Sequence, residues 1–73
     1  GPGTRSHDIW LTTKAKTELL ATRGLKSSQL KIVTENGSVF IMGRVTEAQA
    51  EIAVEVVRQI NGVKKVVKIF DYV

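Results

Sequence analysis

The chain has no cysteine, a single proline, a single histidine and few aromatic side chains: Trp10, Phe40, Phe70 and Tyr72 among 73 residues. Without cysteine, no disulfide and no thiolate metal site can staple the fold, so its core must come from aliphatic packing. That absence leaves the compartment open, because a periplasmic domain can do without cysteine. With one histidine, no serine has a candidate His–Asp partner set for nucleophilic catalysis. The histidine itself, His7, stands beside an N-terminal Gly-Pro-Gly and reads as linker. No stretch approaches the ~18 continuous apolar residues of a membrane span, and no signal peptide, internal repeat or low-complexity tract is visible.

What is present is globular in character. Apolar residues make up 42% of the chain and charged residues 25%. A chain this short holds one modest core and buries only ~60% of the surface that it exposes when unfolded. The net charge is +4, which favours anionic partners such as nucleic acid, anionic lipid or acidic protein. The same charge also serves simply to keep a small domain soluble.

Residues 1–3 (Gly1-Pro2-Gly3) read as the trace of a protease cleavage site, and residues 4–7 as a polar lead-in, with the domain proper at 8–73. On that reading a native leader, lipid anchor or second domain can have been removed. Asp8, or alternatively Ser6, can cap a helix spanning about 8–22. Leu11, Ala15, Leu19 and Thr22 share one face of it, and Gly24 can stop it in a left-handed conformation. Leu30–Glu35 reads as a strand, and Asn36-Gly37 is a strong hairpin signal because both residues tolerate positive φ. The returning strand is Val39–Val45, with Val39, Ile41, Gly43 and Val45 on one face and Phe40 and Met42 on the other. Gly43, lacking a side chain, would let a helix approach the sheet closely.

Thr46-Glu47-Ala48-Gln49 forms a capping box. It opens a second helix that runs to about Ile60, with Ala50, Ala53, Val54, Val57 and Ile60 as its buried stripe. Asn61-Gly62 ends that helix, and Val63–Val73 reads as a third strand. The expectation is an α+β domain of order α-β-β-α-β, with a three-stranded mixed sheet and both helices packed on one face. Val39, Ile41, Ala53, Val57 and Leu19 should lie in its core.

The run Val39-Phe40-Ile41-Met42-Gly43-Arg44-Val45, the helix after it, and Asn61-Gly62-Val63-Lys64-Lys65-Val66 resemble the BON domain pattern. That pattern is a hairpin strand ending in Gly-x-Val, a helix, and a Gly-Val-x-x-Val strand. A closer resemblance, to the second domain of dual-BON outer-membrane lipoproteins of Gram-negative bacteria, rests on Trp10-Leu11-Thr12-Thr13-Lys14, Leu19-Leu20, Ser27-Ser28 and Thr34-Glu35-Asn36-Gly37. Ala15 is smaller than the valine expected there, which bears on core packing. The resemblance implies a periplasmic module that binds anionic phospholipid, such as phosphatidylglycerol or cardiolipin, through its first helix.

The helix faces give a reading of their own. At about 100° per residue, Ile9, Thr13 and Leu20 point away from the core stripe, with Trp10 and Thr17 beside them and Lys14 and Lys16 flanking. This is the makeup of an interfacial membrane helix. A tryptophan suits the headgroup boundary, and lysine stems can lie on apolar surface while the ammonium reaches phosphate. The competing reading packs Trp10 over the helix end or against the third strand and tucks Leu20 under the loop at Leu25. On the sheet, Phe40 and Met42, joined by Val33, Val67 and Ile69, form an open apolar face. Such a face suits a protein contact, with a second BON domain or outer-membrane assembly proteins. Alternatively Phe40 and Met42 are isolated residues shielded by Lys31, Arg44 and Lys68.

Other chemistries find little support. Glu47 and Glu51 stand at i, i+4, but without histidine or further carboxylates they make a poor metal site. No cofactor is implied. RNA modules carry stacking aromatics on the sheet or a Gly-x-x-Gly loop, and neither occurs, so Lys64, Lys65 and Lys68 read as a solvated strand end rather than a nucleic-acid surface. The readings left are lipid binding through the first helix and, as a rival, protein adaptor function through the sheet.

Overall fold

The fold, a computed structural model describing residues 2–73, has the expected element order. Helix α1 spans Pro2–Leu20, β1 Leu30–Glu35, β2 Ser38–Val45, α2 Glu47–Arg58 and β3 Lys65–Tyr72, with a single 3-10 turn at Ser27–Gln29 before β1. The sheet order is β1-β2-β3, antiparallel between β1 and β2 and parallel between β2 and β3. Parallel pairing of β2 and β3 requires a crossover, and α2 supplies it.

Burial follows the two periodicities. On β2, Val39 and Ile41 are fully buried and Val45 nearly so. They meet Leu11, Ala15 and Leu19 of α1 and Ala53, Val57 and Ile60 of α2 in one cluster. Both helices therefore cover the same sheet face, and every residue expected in the core lies there. Val54 of the expected α2 stripe and Thr22 of the α1 stripe are only half-buried.

The first helix departs from expectation at both ends. It begins at Pro2 rather than about residue 8, so Thr4, Arg5, Ser6 and His7 are helical and not a lead-in. Nothing between residues 4 and 20 breaks a helix, and a proline in the first turn is tolerated because its missing N–H has no helical partner there. Gly1 lies outside the described residues. With the start displaced, neither Asp8 nor Ser6 is a cap. At the other end the helix stops at Leu20, two residues early, and Gly24 follows in a left-handed conformation (φ +89°).

The hairpin and the second helix form as read. Asn36 (φ +50°) and Gly37 (φ +82°) both adopt positive φ, the geometry of a tight turn whose twist matches the flanking strands. Thr46 Oγ1 accepts from the Gln49 amide at 3.1 Å, and Gln49 Oε1 accepts from the Thr46 amide at 3.0 Å. The helix ends at Arg58 and β3 starts at Lys65, later than Val63, because the Val63 amide is held by the Ile60 carbonyl and the Lys64 amide by the Gly37 carbonyl. Gly43 serves a different neighbour from the one expected. A Cβ there would stand 2.3 Å from the Gln29 carbonyl oxygen, so the glycine admits the backbone of the 3-10 turn, not an α-helix.

Candidate functional site on the outer face of the first helix

The side of α1 turned away from the sheet carries large apolar side chains that are half or more exposed. Ile9 is 60% exposed, Trp10 51% and Leu20 73%. Thr13, Thr17, Lys14 and Lys16 are exposed beside them. All seven residues read from the sequence thus share one outward surface. The helix is apolar on two sides, one built into the core and the other facing outward.

The two threonine hydroxyls within this surface are already satisfied. The Thr13 hydroxyl donates to the Ile9 carbonyl at 3.0 Å, and the Thr17 hydroxyl donates to the Thr13 carbonyl at 2.9 Å. With their oxygens turned back onto the helix, the two threonines offer methyl groups outward, between Trp10 and Leu20. These two hydroxyls can leave water without being stranded, which is the usual penalty for burying a hydroxyl.

Charge is placed at its rim. Lys14 pairs with Glu18 at 2.9 Å one turn on, toward the groove between the helices. Lys16, on the opposite flank, makes no ion pair among the described residues. The Trp10 ring stands at the mouth of that interhelical groove, about 400 Å³ in volume, which Val56, Gln59, Ile60 and Asn61 also line. Trp10 therefore borders the end of α2 with one edge and leaves half of its surface open. No residue of the third strand lines that groove. Leu20 is not tucked beneath Leu25, which packs against the core instead.

Two residues of this region have roles that the sequence reading did not assign them. His7 stacks on Trp10 with ring centroids 6.2 Å apart and planes 17° from parallel. Its Nε2 lies 2.8 Å from where a Cβ on Gly62 would be. It is thus part of the helix end, not linker. Asp8 reaches the hairpin, its carboxylate accepting from the Asn36 amide at 2.8 Å and the Gly37 amide at 2.9 Å. The i, i+3 spacing of His7 and Trp10 would have brought them together had the helix been extended to residue 4.

The opposite sheet face is apolar as well. Register sets Val33, Phe40 and Val67 in one row across the strands and Lys31, Met42 and Ile69 in the next. Val33 and Ile69 are exposed, and Phe40, Met42 and Val67 half-buried. Phe40 and Met42 are therefore members of a contiguous patch. Of the three residues in the alternative reading, Lys31 and Arg44 lie on this face, while Lys68 alternates to the helix side of β3. Among the described residues no group of three or more histidine, aspartate and glutamate side chains is placed to hold a metal, and no helix is long and apolar enough to cross a membrane.

Comparison with known proteins agrees with this architecture. The family model described as BON domain matches residues 7–73. A 21 kDa hemolysin of Actinobacillus pleuropneumoniae is 47% identical over all 73 residues, which cover 38% of its length. An outer membrane lipoprotein DolP of Haemophilus influenzae is 43% identical over 67 residues, or 92% of this chain and 35% of the relative. The chain thus spans little more than a third of these curated relatives.

Proposed function

The chain belongs to the BON domain family, and from that premise we propose that it is a non-catalytic phospholipid-binding domain that holds a periplasmic lipoprotein against anionic membrane surface through α1. In this role it supports the integrity of the outer membrane. The observation that carries the proposal is the outward trio Ile9, Trp10 and Leu20, joined by threonine methyls whose hydroxyls are bonded inward. The name of one relative, outer membrane lipoprotein DolP, supports the location.

The energetics call for a peripheral, weak attachment. Full burial of a large side chain contributes ~1.5–3 kcal/mol, and α1 offers three that insert only in part. Each lysine near an anionic surface adds about 1 kcal/mol. The entropic cost of immobilising the domain subtracts from this sum. Stable residence then needs a second signal, such as a lipid chain elsewhere in the protein.

Vesicle co-sedimentation tests the reading. The domain should bind vesicles containing phosphatidylglycerol or cardiolipin, bind phosphatidylcholine vesicles poorly, and lose affinity as salt is added. Equal binding to neutral vesicles at high salt contradicts it.

The open sheet face favours a second reading. Its contiguous rows of Val33, Phe40 and Val67 and of Met42 and Ile69 suit an adaptor that contacts another BON domain or the outer-membrane assembly machinery. The two readings use opposite sides of the domain and are compatible.

A further inference from the structure

Strand β3 is an edge strand of the sheet, as β1 is, hydrogen-bonded along one side to β2 and, among the described residues, to no strand on the other. Its eight residues run in unbroken register from Lys65, opposite Ser38, to Tyr72, opposite Val45, with no bulge and no proline. An edge of that length presents a row of main-chain donors and acceptors to any extended chain. Beside it, on the helix side, lies a groove of about 640 Å³ lined by Ala50, Ile52, Val54 and Tyr72 together with Glu47, Glu51, Glu55 and Lys68.

Charge decides what fits there. Glu47, Glu51 and Glu55 recur at i, i+4 and i+8, and so form one ridge of α2 along the groove. Arg58 already holds Glu55, at 2.6 Å, whereas Glu47 and Glu51 have no ion pair among the described residues. An anionic membrane is repelled by this ridge. A second copy of the chain is disfavoured as well. Antiparallel pairing of two β3 edges would continue the sheet with both helix layers on one side, setting the two acidic ridges against each other.

We propose that the free edge of β3 and the adjoining groove of α2 dock an extended basic segment of a partner protein, which adds to the sheet as a fourth strand. Side chains alternate along a strand, so the sequence of the segment is constrained. Its basic residues face Glu47 and Glu51 on the helix side. Its apolar residues fall on the other side, where they extend the open face beside Val67 and Ile69. This is strand addition, in which main-chain bonds supply affinity and alternate side chains supply specificity. The proposal stands independently of the lipid reading, because it uses the far side of the domain and the opposite charge.

The test is an NMR titration of the domain with a short capped peptide of alternating lysine and valine. Amide shifts confined to β3 and α2 are expected. An alternating glutamate–valine peptide, and the lysine peptide N-methylated throughout, should not bind. The double variant Glu47→Gln/Glu51→Gln should weaken binding about fivefold and should not weaken binding to phosphatidylglycerol vesicles. Both glutamates are exposed and the capping residues Thr46 and Gln49 are kept, so the variant should fold, as its amide spectrum will report. No binding of the lysine peptide overturns the proposal. So do shifts centred on α1, undiminished binding of the double variant, or equal binding of the N-methylated peptide.

Discussion

The Asp8 carboxylate, on the first helix, is hydrogen-bonded to the Gly37 amide at the tip of the hairpin, 29 residues away, at 2.9 Å. Its other oxygen takes the Asn36 amide at 2.8 Å. A turn in this conformation points its amides outward, and here a helix supplies the acceptor. Thr12 repeats the tie one turn on, its hydroxyl donating to that of Thr34 on β1 at 2.7 Å. The amino-terminal half of α1 is thus fastened to the β1–β2 hairpin by polar contacts while Leu11 and Ala15 fasten it by burial. The groups that fasten the helix take no part in its outer face.

Asp8→Ala should cost about 1–2 kcal/mol, the net value of two hydrogen bonds to a charged acceptor that are partly exposed. Asp8→Asn keeps one acceptor oxygen and should cost less. Urea melts of the three proteins check the order, and the amides of Asn36 and Gly37 should show the largest chemical-shift changes.

Gly43→Ala should be among the most damaging single changes in the chain. The new methyl would meet the Gln29 carbonyl oxygen, a backbone atom, at 2.3 Å, with φ already at +155°. A loss of ~3 kcal/mol or more is expected. Gly62→Ala crowds the His7 ring, the movable end of a side chain, meets Leu11 Cδ2 at an ordinary 3.4 Å, and should cost ~1–2 kcal/mol for its left-handed backbone. Thermal melts that rank the two in the reverse order contradict this account.

Thr46→Ala removes the hydroxyl that caps α2 and should lower stability by about 1 kcal/mol. The variant should bind anionic vesicles like the parent, because the cap lies far from the outer face of α1.

The fold was legible in the sequence wherever periodicity and local chemistry agreed. The Asn36-Gly37 turn, the Thr46–Gln49 capping box and the alternation of β2 each point to one structure. The start of α1 was not legible, because Thr4–His7 are polar and lack an apolar stripe, and Asp8 has the chemistry of a cap. Its real acceptor role depends on a turn 28 residues away, which no local pattern encodes. The outward set of Ile9, Trp10, Thr13, Thr17 and Leu20 could be read from the helical angle alone. The stacking of His7 was lost with the helix start. The β3 edge required the strand order, which the sequence does not state.

Lys16→Glu should weaken binding to phosphatidylglycerol vesicles without changing the melting temperature, since the lysine is exposed and unpaired among the described residues. The difference from the parent should shrink as salt is raised, because exposed charges are screened beyond ~8 Å at physiological ionic strength. A difference that persists at high salt points to a packing role for this side chain.

Trp10→Glu, melted and then tested by co-sedimentation with phosphatidylglycerol vesicles, addresses the membrane face most directly. Half of the indole surface is open, so the variant should stay folded. It should no longer sediment with the vesicles, since a carboxylate removes the inserted ring and repels anionic headgroups. Leu20→Glu should do the same less completely. A Trp10→Glu variant that loses ~3 kcal/mol or more of stability, as a core residue would, or that folds and sediments like the parent, contradicts the account.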